Sequence, residues 1–220
     1  MKKFLALILT GILAISFCAC GSENASESTT GVKKRVDQVA SFNSDAVLDN
    51  LSTTSYTWDD KYSGKSVALI IKNDSEFSCM LNGAVTFKDA SGNIVGSKDD
   101  LCITGAGAEV CMVFSNETPF ETFDYKFTAD ELFLTTMTTS LTCEPSIVED
   151  KVIVSMTNNN PEKTAVISTD ILLYQGDQIV GNTYCFFDDI PGGDTSVEEA
   201  NAFVDFDNVK VFYTAYEATS

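Results

Sequence analysis

The feature that most constrains this chain is an internal echo. Val85-Thr86-Phe87-Lys88-Asp89-Ala90-Ser91-Gly92-Asn93-Ile94-Val95-Gly96 returns as Ile171-Leu172-Leu173-Tyr174-Gln175-Gly176-Asp177-Gln178-Ile179-Val180-Gly181. Each copy is an alternating apolar run, a turn centred on glycine, and then Ile-Val-Gly, which is the pattern of a β-hairpin. At an offset of 85 residues, Thr53-Thr54-Ser55 falls on Thr138-Thr139-Ser140, Val67–Asn73 on Val152–Asn158, and Gly107 on Gly192. Phe123–Phe127 resembles Phe206–Val211 with a small slip. One offset holding across separate blocks signals tandem duplication.

Within each unit short apolar runs alternate with turn signals. The pattern predicts strands near 54–58, 66–73, 80–88, 93–103, 108–115 and 123–129, and again near 139–143, 150–158, 164–174, 178–187, 195–204 and 207–216. Val152, Val154 and Met156 alternate with Ile153 and Ser155, so these three and their counterparts Val67, Leu69 and Ile71 should face a core. Strands this short and frequent suggest a small antiparallel sandwich in each half.

The N-terminus reads differently. Lys2 and Lys3 precede an apolar run from Phe4 to Phe17, and Cys18-Ala19-Cys20 closes it. This is the basic-then-apolar order of a secretory leader, and at roughly 17 residues the run is short for a spanning helix, which needs about 20. Its end resembles a bacterial lipobox. That resemblance implies a signal peptide over residues 1–19 and acylation of Cys20, with a bilayer as the first partner. Phe17 is an unusual choice at its place, and a plain signal peptide cut after Ala19 or a retained anchor are the competing readings. Residues 20–52 read as anchor and tether, polar from Gly21 to Gly31. Val32, Val36 and Val39 fall at helical spacing and Ala46, Val47, Leu48 and Leu51 form another short apolar patch, which allows one or two helical turns ahead of the first domain.

The formal charge is -18, and loss of Lys2 and Lys3 with a leader deepens it to about -20. Such a surface repels phosphate backbones, and the only basic cluster is Lys33-Lys34-Arg35, so nucleic acid is excluded as a partner. Those three residues, close to the anchor, suit contact with anionic headgroups as well as they suit plain solvation.

Phe87-Lys88-Asp89-Ala90-Ser91-Gly92-Asn93-Ile94-Val95-Gly96, followed by Gly105-Ala106-Gly107, resembles the FxLYD-type immunoglobulin-like domains of bacterial surface lipoproteins. The second unit supplies the Pro-Gly turn of that class as Ile190-Pro191-Gly192, but carries Tyr174-Gln175 where Asp would stand. The resemblance spans residues 53–220. It implies an all-β fold of two tandem small immunoglobulin-like antiparallel β-sandwich domains, 53–132 and 133–220, outside the cytoplasm after a lipoprotein leader and flexible tether. It brings no catalytic residues with it.

Candidate chemistry is sparse. The chain has no histidine, which removes Ser-His-Asp and Cys-His catalysis in their usual forms and the common zinc sites. No glycine-rich phosphate loop is present, so no cofactor is expected. Asp188, Asp189 and Asp194 surround the Pro191-Gly192-Gly193 turn and are the weak candidates for calcium, although their spacing fits no calcium loop. Paired carboxylates for a hydrolase need a cleft that sequence does not display.

Seven cysteines are present, five of them beyond the leader and anchor: Cys79, Cys102, Cys111, Cys143 and Cys185. Cys102 and Cys111 are symmetric about Ala106-Gly107. A direct hairpin there would place Leu101, Ile103, Val110 and Met112 inward and set the two thiols facing one another for a disulfide, whereas a change of sheet would part them. Tyr56, Trp58 and Tyr62, with the pairs Phe186-Phe187 and Phe212-Tyr213, read first as core. The outward member of each pair is the candidate contact residue.

Together these features favour a non-catalytic, membrane-anchored surface lipoprotein of a Gram-positive cell, meeting an envelope protein or a wall glycan. A glycan- or peptide-capturing module is the second reading, and a carboxylate hydrolase the third.

Overall fold

A computed structural model of the protein describes residues 41–60 and 64–218. Helix α1 (Ser44–Leu48) opens it, capped by Asn43, whose side-chain oxygen accepts from the Ala46 amide at 3.2 Å. Val47 drops from this turn into the first core, with Phe42, Leu48 and Leu51 packed beside it. The stretch just before the first strand is therefore part of the folded body. The leader, Cys20, the basic cluster and the helically spaced Val32, Val36 and Val39 lie outside the described residues.

Twelve strands follow among the described residues: β1 (Leu51–Asp60), β2 (Gly64–Asn73), β3 (Cys79–Lys88), β4 (Ile94–Thr104), β5 (Glu109–Asn116), β6 (Thr122–Glu131), β7 (Leu141–Val148), β8 (Lys151–Asn158), β9 (Ala165–Gln175), β10 (Gln178–Ile190), β11 (Thr195–Asn201) and β12 (Asn208–Glu217). They make four three-stranded antiparallel sheets, β1-β2-β5 and β4-β3-β6 in the first half, β7-β8-β11 and β10-β9-β12 in the second. The second half repeats the first strand for strand. The fold is thus two tandem immunoglobulin-like β-sandwiches.

Each pair of sheets encloses its own core. Val67, Leu69 and Ile71 meet Leu81, Val85 and Phe87 in the first, and Val152, Val154 and Met156 meet Ile167, Ile171 and Phe187 in the second. These are the faces that period-two alternation selects, and each fully buried aliphatic or Phe side chain contributes about 1.5–3 kcal/mol.

Register corrects two details of the repeat. Leu51 lies opposite Asn73 and Leu141 opposite Asn158, so Leu51 corresponds to Leu141. The Thr53–Ser55 match was spurious, because Thr138–Ser140 is a 3-10 turn ahead of β7. The amides of Gly107 and Gly193 donate to the Asn73 and Asn158 carbonyls, both at 2.8 Å, and both glycines have positive φ (69° and 84°), so Gly107 matches Gly193 and not Gly192.

Candidate functional site

The outer face of the β1-β2-β5 sheet is not free. Trp58, Ala68, Ile70 and Cys111 on that face form one buried cluster with Leu172, Ile179 and Phe212 of the second sandwich. Val113 and Tyr174 pack at its margin. The two sandwiches therefore stack sheet against sheet within one compact unit. Lys210 crosses the seam to Glu109 at 2.8 Å and also lies 4.6 Å above the Phe212 ring. Such a part-exposed ion pair adds at most about 1 kcal/mol, so apolar burial dominates the seam.

The stacking is head to tail. By strand correspondence, the seam joins β1-β2-β5 of the first unit to the second unit's equivalent of β4-β3-β6. The matching faces at the two far ends carry Asn82, Thr86 and Lys88 on β3, and Lys151, Ser155 and Thr157 on β8. Leu101 shares the first of these faces and Val148 and Val197 the second, so both are mixed rather than evenly apolar like the seam.

Two grooves flank the seam. The larger, about 430 Å³, runs between Tyr56, Trp58 and Asp59 of β1 and the β9–β10 hairpin at Asp177, Gln178 and Ile179. The tip of that hairpin is held from outside, the Gly176 amide donating to the Asp207 carboxylate at 3.0 and 3.1 Å. In the first unit Asp89 does this within its own turn, accepting from the Ser91 and Asn93 amides at 2.9 Å. Asp207 thus replaces the Asp that Tyr174-Gln175 lacks. The second groove, about 320 Å³, opens between Gly107–Glu109 and Val211–Tyr213.

Trp58 is 6% exposed, and its indole Nε1 is the one buried side-chain nitrogen or oxygen without a hydrogen-bond partner among the described residues. An unpaired buried donor costs roughly 1–3 kcal/mol. Tyr56 stands two residues earlier on the same strand face and is 43% exposed. Asp170, on the outer face of β9 between Tyr184 and Phe212, is the other unusual group. Burial, reinforced by the charge of Asp100 from the first sandwich, pushes its carboxyl up to about 6.

The residues singled out in the sequence fare unevenly. Of the two arrangements open at Cys102 and Cys111 the direct hairpin does not form: β4 pairs with β3 while β5 pairs with β2, so the chain changes sheets at Gly105–Gly107. Cys102 then faces the first core opposite Leu81, Leu101 turns outward, and Cys111 lies in the seam. Both thiols are free, as are Cys79, Cys143 and Cys185. Burial pushes all five upward, Cys79 and Cys143 to about 11, which leaves none poised as a thiolate.

Asp188 and Asp189 sit exposed near the end of β10, and Asp194 is exposed in the following turn. Among the described residues no three Asp, Glu, His or Cys side chains converge as metal ligands. Of the aromatic pairs, Phe186 is outward at 46% exposure while Phe187 is core. Phe212 also points outward from its own sandwich, but the first sandwich covers it. Tyr184, on the same face as Phe186, is 74% exposed. Tyr62 lies outside the described residues.

No protein-family model matches the chain, and no curated protein matches it. Among solved structures, a crystal structure of red sea bream transglutaminase is similar over 76% of this chain, with 8% identity and a TM-score of 0.26. The chain spans 29% of that structure's length. A score so low carries no statement about chemistry.

Proposed function

We propose that the protein is a non-catalytic lipoprotein, held through acylated Cys20 on the outer face of a Gram-positive cell membrane, that presents a rigid two-domain surface to another envelope protein. The observation that carries this reading is the seam itself. Burying Trp58, Ile70, Leu172 and Phe212 between the sandwiches fixes their mutual geometry, which suits a presenting scaffold and removes the hinge that a closing cleft would use. The absence of histidine and the upward-shifted thiols weigh against acid–base or thiol catalysis. The leader resembling a lipobox and the FxLYD-like hairpin support the location.

The exposed pair Tyr184 and Phe186 is the contact surface we assign. It offers aromatic area on a β-face, the kind of anchor that protein interfaces enrich. A photo-crosslinking amino acid placed at Phe186, and at Ser155 as a control, tests the reading in intact cells. One saturable protein adduct at position 186 and none at 155, with Cys20→Ala shedding the chain from the membrane, is the expected result. Equal, unsaturable labelling at both positions, or a chain that fractionates with the cytoplasm, would overturn it.

A further inference from the structure

The groove beneath the β9–β10 hairpin holds a set of polar groups that the scaffold reading does not use. Trp58 contributes an indole N–H that has no acceptor. Asp59 and Asp177, whose carboxylates only accept, line the same space, and Gln178 supplies an amide that does both. Tyr56 adds an exposed aromatic ring. At about 430 Å³ the groove falls within the ~300–1,000 Å³ typical of small-molecule sites, and it lies at a domain junction, where such sites concentrate.

We propose that this groove binds a neutral carbohydrate, one sugar ring lying against Tyr56 with its hydroxyls shared among Trp58, Asp59, Asp177 and Gln178. The donor–acceptor balance selects the class. An ammonium ligand has only donors and would leave the indole unpaired. A phosphate or carboxylate would meet two aspartates on a chain of formal charge -18. A hydroxyl both donates and accepts, so a polyol satisfies the whole set. The indole N–H is covered in this structure, so binding requires the groove wall to shift and admit the acceptor. The inference goes beyond the scaffold reading and does not depend on it.

Trp58 is the only tryptophan of the chain, so its emission and its single indole N–H resonance report the site directly. The full chain is titrated with N-acetylglucosamine trimer, with maltotriose, and with spermidine as a cationic counter-probe, each to about 20 mM, the range that detects millimolar affinity. A saturable downfield shift of the indole resonance with at least one sugar is expected. Tyr56→Ala and Asp177→Ala should each weaken it about tenfold. Asp177 is an exposed turn residue, so that variant tests the site even where loss of Tyr56 disturbs the seam. An indole signal unmoved by both sugars, moved only by spermidine, or moved equally in Asp177→Ala overturns the proposal. Purified protein suffices here, so failure is separable from failure of the crosslinking in cells.

Discussion

Asn73 and Asn158 stand at the same point of the two sandwiches, each ending the second strand of its unit and each tying the same pair of loops. Asn73 Nδ2 donates to the carbonyls of Phe77 at 2.9 Å and Gly105 at 3.1 Å; Asn158 Nδ2 donates to those of Lys163 at 2.7 Å and Ile190 at 2.9 Å. The side-chain oxygens repeat the scheme, accepting from the Ser75 and Asn160 amides at 3.1 Å. Both residues are fully buried. A buried amide that serves three backbone groups makes the loop at the sheet change as specific as the strands themselves.

Replacing either asparagine by alanine strips two donors from buried carbonyls. Asn73→Ala and Asn158→Ala should each lower stability by about 2–4 kcal/mol. Aspartate should do no better, since a carboxylate has no N–H to give. Urea unfolding of the two variants checks this. A loss below about 1 kcal/mol at either site would mean that other groups hold its loops.

The seam makes a separate prediction. Leu172 is fully buried between the sandwiches, so Leu172→Ala should cost about 2–5 kcal/mol and split one concerted unfolding transition into two. Val197, exposed on the outer face of β11, serves as the control, and Val197→Ala should change stability by less than about 0.5 kcal/mol. Calorimetry distinguishes one transition from two. Two transitions already present in the unmodified chain would show that the seam does not couple the halves.

Much of this architecture was legible because alternation reports a strand with one wet face. Val85 and Phe87 alternate with Thr86 and Lys88, as Val152, Val154 and Met156 do with Lys151 and Ser155, and the outer faces of β3 and β8 are the free ones. The seam also has a signal in the sequence. Val67-Ala68-Leu69-Ile70-Ile71 and Ile171-Leu172-Leu173-Tyr174 do not alternate, as expected of strands covered on both sides. The choice left open at Cys102 and Cys111 had no such signal. A glycine turn between two apolar runs looks alike whether the chain returns in the same sheet or crosses to the facing one, and only the pairing of β4 with β3 and of β5 with β2 decides. The Trp58 groove was hidden because it joins β1 to a hairpin tip more than a hundred residues away.

The separated thiols should behave as such. Without reductant, all five described cysteines should alkylate in urea, Cys102 and Cys111 included. In the native protein the same sites should react at least about tenfold more slowly, because burial both shields them and holds back the thiolate. Mass spectrometry of iodoacetamide-treated protein counts them. A Cys102–Cys111 peptide released only by reductant would restore the linked hairpin and contradict the sheet change.

Asp170 gives the chain a pH dependence of definite sign. Its carboxyl is raised from the ordinary 3.8 to about 6 by burial and by Asp100 across the seam, with Cys102 and Cys111 nearby and Lys210 engaged by Glu109. The folded state therefore holds the proton more tightly than the unfolded chain does. Below the unfolded value both states are protonated and nothing is lost. As pH rises from about 4 to about 6 the unfolded chain ionises first, so stability falls by about 2–3 kcal/mol and this contribution is then constant. Asp170→Asn should abolish that fall, matching the parent near pH 4 and exceeding its stability at pH 7. Urea unfolding of both proteins across this range measures the difference, and parallel curves would show that the carboxylate remains solvated at the seam.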